Sequence, residues 1–214
     1  MTGKRGRRGR EKRRAREGCA VTRPVPLDNC DTTIRLNRWL KKHGFRNTSR
    51  LRPADFPGTG RGLMACKSIS SGQVLVSLPR ELMITTQTVL DSYLGPHVSS
   101  WHPRLAPVDV LSVFLVCERC CGDRSPWQPY VDSLPERFTT PAYFTRRELR
   151  ELPRSLDDAV RRQRTAIAAS YNDVKKFMDE LEKSFPEFRG TMTQDAHCWA
   201  WHIVNTRSVY MGIF

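Results

Sequence analysis

The chain has 214 residues, of which 39% are hydrophobic, enough for one sizeable folded domain or for a domain with an insertion. Its formal net charge is +14. No apolar run reaches the roughly 18 residues that a membrane-spanning helix needs, and no apolar core follows the basic start as it does in a secretory signal. These features predict an intracellular protein without a membrane partner.

Much of the positive charge lies at the amino terminus. Residues 1–16 contain nine Lys and Arg residues against one acid, Glu11, so they contribute a net eight positive charges. Because the segment has almost no apolar residues to bury, residues 1–30 are predicted to form a disordered basic tail. Two roles remain open for it: a nuclear-import signal or nucleic-acid contact, and a solubilising tail with no dedicated partner.

A short amphipathic helix is predicted from Asp31 to His43, with Asp31 as its N-cap and the following glycine as its stop. Its apolar face includes Trp39. We expect that face to pack against a sheet.

Residues 56–65 read Phe-Pro-Gly-Thr-Gly-Arg-Gly-Leu-Met-Ala, with three glycines in five positions. Glycine adopts positive φ at no steric cost and has no side chain in the way, so this backbone can bend sharply and allow close approach. Two interpretations remain open. One is a tight turn before an edge strand, which the residues alone favour, and the other is a wall against which a ligand lies. The phosphate-loop pattern is missing.

Two β-prone runs follow the glycines, Leu63–Ile69 and Val74–Leu78, and they are predicted to form a hairpin or two neighbouring strands. A helix is then predicted from residue 85 or 86 to Leu94, closed by the Gly-Pro pair after it. Pro107–Cys117 is apolar nearly all round, which predicts a buried helix. The proline-punctuated segment Ser125–Pro135 is predicted to be a loop packed over that helix.

Seven cysteines, an odd number, are scattered along the chain, which favours free thiols in a reducing compartment. Cys117 and Cys120 have the Cys-x-x-Cys spacing of half a zinc site, but no second half with matching spacing is present. Burial as small hydrophobic side chains on a helix is the preferred interpretation, and no metal site is predicted.

The chain becomes charged and helical from about Thr145. A heptad-like seam of alternating four- and three-residue steps predicts a long helix that packs on another helix. Its members are Val160, Arg164, Ile167, Tyr171, Val174, Met178, Leu181 and Phe185.

A last helix is predicted to begin near Thr193, and its apolar spacing, continued to the end, reaches Arg207. A core-facing guanidinium must be paired or must face a polar cavity, and an anionic ligand is one such partner. The other interpretation, slightly favoured by spacing alone, is that the helix frays before Arg207 and leaves it exposed. Residues 208–214 are β-prone and apolar, so we expect them to have a neighbour and the chain to be cut short.

Four ordered motifs carry a family resemblance. They are the glycine-rich stretch from Pro57 to Ala65, Ile69-x-x-Gly-x-x-Leu-x-x-Leu-Pro, Trp127-x-Pro-Tyr-x-x-x-Leu-Pro, and Trp199-Ala-x-x-x-Val-Asn-Thr-Arg. In this order the chain resembles the amino-terminal half of SET-domain protein-lysine methyltransferases of the Rubisco large-subunit methyltransferase type. The resemblance implies an α+β fold: a partial SET domain of short strands and hairpins at residues 31–138, a helical insertion at 139–190, and a truncated second SET segment at 191–214.

The same resemblance implies a site for S-adenosylmethionine (AdoMet). The glycine-rich stretch would contribute backbone to the cofactor pocket, and a guanidinium near the end of the chain would pair with the carboxylate of the methyl donor. The implied cofactor-binding residues are Thr59, Gly60, Arg61, Gly62, Leu63 and Arg207. No catalytic residue and no metal ligand is assigned.

The resemblance further implies a monomeric protein-lysine N-methyltransferase of the nucleus and cytoplasm, acting on a histone or another protein. The Asn-His motif, the tyrosine and the helical carboxy-terminal domain that such enzymes need are not in this sequence, so we expect the chain alone to be inactive. The alternative is a non-catalytic basic nuclear protein whose tail binds nucleic acid or an acidic partner.

Overall fold

The computed structural model describes residues 23–46 and 50–209. The chain divides into two compact units, residues 1–78 and residues 79–214. Every helix within the described ranges is too short or too polar to cross a membrane.

The first unit is built on a small antiparallel sheet with strand order β1-β2-β3. Its strands are β1 (Val25–Pro26), β2 (Leu51–Phe56) and β3 (Gly60–Ala65), and helix α1 (Asp31–Lys42) lies between β1 and β2 in the sequence. In the register of β2 and β3, Phe56 is opposite Gly60 and Leu51 is opposite Ala65. Among the described residues of this unit, Ala54 alone is fully buried.

Two details of this unit differ from the sequence-based predictions. The N-cap of α1 is Cys30, and Asp31 is the first helical residue, where its charge favours the helix N-terminus. None of the residues of α1 is fully buried. Within the predicted basic tail, Val25 pairs with Asp55 of β2, while residues 1–22 lie outside the described part.

The predicted strand pair at Leu63–Ile69 and Val74–Leu78 is wrong, because β3 ends at Ala65 and the second run forms no strand. The hairpin is formed by β2 and β3, so the glycine-rich stretch lies inside it, and no strand is present at residues 66–78. β2 was missed because it contains Pro53, which argues against a central strand. Alternating apolar residues show that a segment can pair, but a strand forms only where a partner backbone is present.

The second unit is helical. Its helices are α2 (Thr86–Leu90), α3 (Gly95–Ser100), α4 (Pro107–Cys121), α5 (Gln128–Val131), α6 (Arg146–Glu151), α7 (Asp157–Ser184) and α8 (Gln194–Arg207), and short 3-10 turns occupy Arg80–Leu82, Gly122–Arg124, Arg154–Leu156 and Pro186–Phe188.

Helix α4 is the centre of this unit, as its apolar sequence predicted. Most of its residues from Asp109 to Glu118 are buried, and it packs against α8 and α7. Cys117 is fully buried, as expected of a small hydrophobic side chain. The seam on α7 is confirmed at Ile167, Val174, Met178 and Leu181, all of which are buried.

The helices differ from the predictions at several places. The buried helix α4 runs to Cys121 instead of Cys117. The segment Ser125–Pro135, predicted to be a loop, contains the short helix α5, because Pro129 lies in its first turn, where proline is tolerated.

The predicted helix to Leu94 ends instead at Leu90, and the Gly-Pro pair expected to stop it begins α3. Proline fits there because a residue in the first turn of a helix needs no intrahelical N–H bond. The predicted start of the last helix is confirmed, because the Thr193 side chain accepts a hydrogen bond of 3.2 Å from the backbone N–H of Ala196.

A buried polar bridge joins the three packed helices. Ser170 of α7 donates a hydrogen bond to Asp109 of α4, and its hydroxyl lies 3.3 Å from Nε2 of His197 in α8. All three side chains are buried, and His197 Nδ1 has no hydrogen-bond partner among the described residues. Because serine lies between the other two and none of them reaches solvent, this is a structural bridge and not a hydrolytic triad.

The bridge predicts a pH dependence of stability. Burial lowers the pKa of His197 from its ordinary 6.5 to about 4, so the unfolded chain binds more protons between these values than the folded chain. The contribution of neutral His197 to the free energy of unfolding is therefore complete above pH 6.5 and is lost as the pH falls toward 4. This loss is at most about 3 kcal/mol. Burial raises the pKa of Asp109, which offsets part of that loss.

Urea unfolding between pH 4.5 and 7.5 measures this dependence. The free energy of unfolding should fall with decreasing pH in the unchanged chain and should vary less in His197→Gln. His102→Gln, in which the replaced histidine is exposed, is the control and should follow the unchanged chain. If the free energy of unfolding depended equally on pH in His197→Gln and His102→Gln, His197 would not be the source of the pH dependence.

Candidate functional site

The glycine-rich stretch forms the tight turn of the β2–β3 hairpin. Gly58 and Gly60 have φ of +81° and +78°, values that side-chain-bearing residues rarely adopt, and the turn is closed by a 3.0 Å hydrogen bond from Thr59 N to Phe56 O. β3 lies at the edge of the sheet. The interpretation as a tight turn before an edge strand is therefore confirmed.

The structural constraints on Gly58, Gly60 and Gly62 differ. A Cβ on Gly62 would lie 3.1 Å from the Phe56 ring, so a larger residue here would require that ring to shift by a few tenths of an ångström. At Gly58 and Gly60 the position of a Cβ has nothing within 4 Å, and the requirement there is the positive φ alone. The outer side of the turn is thus open, and Leu63 on the edge strand is 61% exposed.

Helix α8 continues through Arg207, so it does not fray at the two residues before it. The Arg207 side chain is nevertheless exposed, and its Nη1 donates a 2.6 Å hydrogen bond to the Thr206 hydroxyl. The guanidinium carbon lies 5.5 Å from the centre of the Phe138 ring, within the range of a cation–π contact. Arg207 is thus exposed, as the fraying interpretation expected, but it lies on an intact helix, as the core-facing interpretation expected.

A second aromatic residue, Tyr130, also interacts with this guanidinium. Burial raises the pKa of Tyr130, and the positive charge of Arg207 partly offsets that rise, which indicates that the two groups act on each other electrostatically. Phe138 and Tyr130 come from the segment that follows α4, while Arg207 comes from the end of α8. Phe138 was not identified from the sequence, because a single aromatic residue between helices carries no periodic signal.

His202 holds Phe138 and α8 together. Its Nδ1 donates to the Cys198 carbonyl at 2.8 Å, which leaves Nε2 to accept a hydrogen bond from the Thr140 hydroxyl at 2.9 Å. The imidazole also stacks on the Phe138 ring, with ring centres 5.1 Å apart. Burial lowers the pKa of His202, which favours the neutral tautomer that this pattern requires.

The Trp127 motif is held against α4 by a buried carboxylate. Glu118 of α4 accepts a hydrogen bond from the Ser125 hydroxyl, and that hydroxyl accepts a 3.0 Å hydrogen bond from the backbone N–H of Trp127. Glu118, Ser125 and Trp127 are all buried. This connection fixes the start of α5 and therefore the backbone that carries Tyr130.

The predicted site residues fall in different units. Residues Thr59 to Leu63 lie on the hairpin of the first unit, and Arg207 ends the last helix of the second. Within the described ranges, no three His, Cys, Asp or Glu side chains gather in an arrangement that could hold a metal ion.

Comparisons with known proteins identify related sequences. The chain is 38% identical to human SET domain-containing protein 4 over 96% of its own length and 47% of that protein, and 38% identical to the mouse protein over 99% and 48%. It is also 29% identical to the actin-histidine N-methyltransferase of Danio rerio, over 72% of the chain and 26% of that enzyme. No family model matches. The chain spans about half the length of the SET domain-containing protein 4 relatives.

Solved structures show the same fold at lower sequence identity. Rubisco LSMT bound to AdoMet aligns with a TM-score of 0.70 at 24% identity, over 83% of this chain and 41% of that one. The SET domain of LSMT bound to lysine and AdoHcy aligns with a TM-score of 0.72, over 84% and 40%. Over nearly its whole length the chain is similar in sequence to SET domain-containing protein 4, and its fold is that of part of a SET domain.

Proposed function

We propose that this chain supplies part of an AdoMet-dependent protein-lysine N-methyltransferase. The observation that carries the proposal is the 38% identity to SET domain-containing protein 4 along 96% of the chain. The fold adds support, because the aligned LSMT structures are described as bound to AdoMet, and to lysine with AdoHcy.

AdoMet would supply a methyl group activated by a sulfonium centre. For its binding, the open outer side of the Gly58–Gly60 turn and the edge strand offer backbone groups without side chains in the way. Arg207 offers an exposed guanidinium, whose fork of N–H donors matches a carboxylate such as that of the methionine part. We propose both as cofactor-binding parts, together with Thr59, Arg61, Gly62 and Leu63.

Phe138 and His202 restrict the orientation of the Arg207 side chain. The Phe138 ring lies under the guanidinium, and His202 fixes that ring to α8 by stacking and through its bond to Thr140. A long, flexible arginine loses less entropy on binding when its orientation is already restricted. The two residues are thus positioning residues for the proposed carboxylate contact.

Methyl transfer to lysine requires structural parts beyond those that this chain contains. A lysine ammonium, with a pKa of about 10.4 in water, must lose a proton before its nitrogen can attack the methyl carbon in line. That step needs a closed, dry channel that orients the amine. The chain corresponds to about 40% of the aligned SET structure, so we propose that it is inactive by itself.

Lysine is preferred to histidine as the acceptor because the aligned LSMT structures are bound to lysine or monomethyllysine. A histone or another protein is the proposed substrate. The proposed location is the nucleus and cytoplasm, with the basic residues 1–16 as an import signal or nucleic-acid contact.

The role of Arg207 can be tested with two related ligands. AdoMet carries the carboxylate, whereas 5′-methylthioadenosine has the adenosine and thioether without it. Arg207→Ala should weaken AdoMet binding by about tenfold or more, the effect of losing a charged hydrogen-bonded pair, and leave 5′-methylthioadenosine binding unchanged. Ligand-observed NMR titrations measure both affinities, with Arg189→Ala, another exposed arginine of the same unit, as the control. An equal loss for both ligands, or none, would contradict the contact.

The chemistry can be tested with a fusion. The chain alone, with labelled AdoMet and a protein extract, should transfer no methyl group above a blank without enzyme. The chain joined to the half of human SET domain-containing protein 4 that it does not match should transfer label, and acid hydrolysis should release methyllysine. Methylhistidine as the product would refute lysine specificity, and turnover by the chain alone would refute the inactivity.

A further inference from the structure

One part of the helical unit carries no buried side chain. It consists of α6, the 3-10 turn at Arg154–Leu156 and the first part of α7, and we name residues 145–166 the arm. None of its side chains is fully buried, and the first buried residue of α7 is Ile167. Since most helices in folded proteins owe their stability to a buried face, the arm is unusual in leaving both of its helices in contact with solvent.

The arm is nevertheless held in a defined shape. The Thr145 hydroxyl accepts a 3.3 Å hydrogen bond from the backbone N–H of Glu148, and the Glu148 carboxylate accepts one of 2.8 Å from the backbone N–H of Thr145. Arg164 of α7 donates to the carbonyl oxygens of Pro141 and Phe144 at 3.1 Å and 3.3 Å. These bonds fix the start of α6 beside α7 without any ligand.

A cleft of about 350 Å³ separates α6 from α7. Leu149 and Leu152 line it on one side and Val160 on the other, and all three side chains are partly exposed. Leu156, in the turn that joins the two helices, is 45% exposed. The arm therefore presents apolar side chains on a concave surface, which is the shape that receives the side chains of another molecule.

The cleft continues along α7. Three residues of this helix line the cleft and three line a second cavity of about 280 Å³, in the order Asp157, Val160, Arg161, Arg164, Ile167 and Ala168. These positions follow the three- and four-residue steps of one helix face, so the two cavities lie in line along α7. Over this distance the helix rises about 16 Å, which matches a peptide segment better than a small molecule.

Arginine dominates the surface of the arm. Residues 145–166 contain seven arginines and four acids, a net charge of +3 (seven minus four), and no lysine. Two of the acids are engaged inside the arm, Glu148 at the start of α6 and Asp158 in an ion pair with Arg161. Five exposed arginines have no side-chain hydrogen bond or ion pair within the described ranges: Arg146, Arg147, Arg150, Arg154 and Arg162. Their charge is therefore available to an anionic partner.

We propose that the arm is a docking site for an acidic segment of a partner protein. Large apolar side chains of that segment enter the cleft, and its Asp and Glu carboxylates pair with the arginines around it. Each contact completes a group that the arm leaves open, either an apolar side chain in water or a guanidinium without a counter-charge.

A nucleic acid fits the arm less well than an acidic protein segment does. The arm contains no aromatic residue on which a base could stack. The cleft between its helices is lined mainly by leucine and valine, whereas a phosphate backbone is bound by cations and backbone N–H groups. The arginines thus surround an apolar contact surface, as at a protein interface.

The arm and the proposed cofactor-binding residues occupy different places. The second cavity is also lined by Asp195, in the first turn of α8, whereas Arg207 ends that helix. The helix rises about 18 Å between these two residues. The inference therefore stands without the proposed function, and its test needs no AdoMet.

The test uses a fluorescein-labelled peptide of glutamate and leucine, with leucine at i, i+3, i+4 and i+7. Fluorescence anisotropy at physiological salt should show saturable binding to the full chain. The basic residues 1–16 attract any anion, so they are kept in every comparison. Replacing the leucines of the peptide by serine keeps its charge and should weaken binding by about tenfold or more, because apolar burial in the cleft is lost.

Two charge-matched variants locate the site. Arg146→Glu with Arg150→Glu, one turn apart on α6, should weaken binding of the leucine peptide by about tenfold or more. Arg104→Glu with Arg189→Glu changes the net charge equally at exposed positions outside the arm, and should leave binding nearly unchanged. Circular dichroism spectra of both variants should match that of the unchanged chain, because all four arginines are exposed.

The outcomes separate docking on the arm from general attraction between charges. Absence of binding, equal binding of the leucine and serine peptides, or an equal loss in the two variants would overturn the docking site. A loss of single-stranded DNA binding in Arg146→Glu with Arg150→Glu, as large as the loss for the peptide, would indicate a nucleic-acid site and would also overturn it. Leucine-dependent binding that only the arm variant weakens would uphold the docking site, whether or not the chain binds AdoMet.

Discussion

The packing of α8 on the buried helix α4 is the constraint on which the candidate site depends. Trp199 of α8 donates a 2.8 Å hydrogen bond to the Pro135 carbonyl, and Arg119 of α4 lies 4.4 Å from the centre of the Trp199 ring. The Asp109–Ser170–His197 bridge adds a polar connection inside the same core. Because α8 is held along its length, its last residue, Arg207, has a defined place beside Phe138.

The two units differ in how much apolar surface each buries within its own core. In the helical unit, three helices share a core of large apolar side chains. In the hairpin unit, the described residues include one fully buried side chain, Ala54, and several exposed valines and leucines. Apolar side chains that remain in water contribute nothing to folding, so further contacts would stabilise the hairpin unit far more than the helical one.

The sequence predicted the helical unit well because its signals are local. A run that is apolar nearly all round located α4, apolar periodicity located α7 and α8, and the Thr193 cap marked a helix start. The hairpin unit was predicted poorly, because β pairing depends on a partner that periodicity does not show, and Pro53 disguised β2. The motifs located the glycine-rich turn and Arg207, whereas Phe138 and His202 act through contacts distant in sequence, which no local pattern shows.

The central proposal is that the β2–β3 hairpin and the end of α8 each contribute contacts to the methyl donor. Backbone hydrogen exchange of the fusion with the human half, with and without AdoMet, tests it most directly. The account predicts that AdoMet slows exchange at Gly60–Ala65 and in the last turn of α8, and that 5′-methylthioadenosine protects the hairpin but not that last turn. Protection confined to other segments, or absent at both places while AdoMet is bound, would contradict the account.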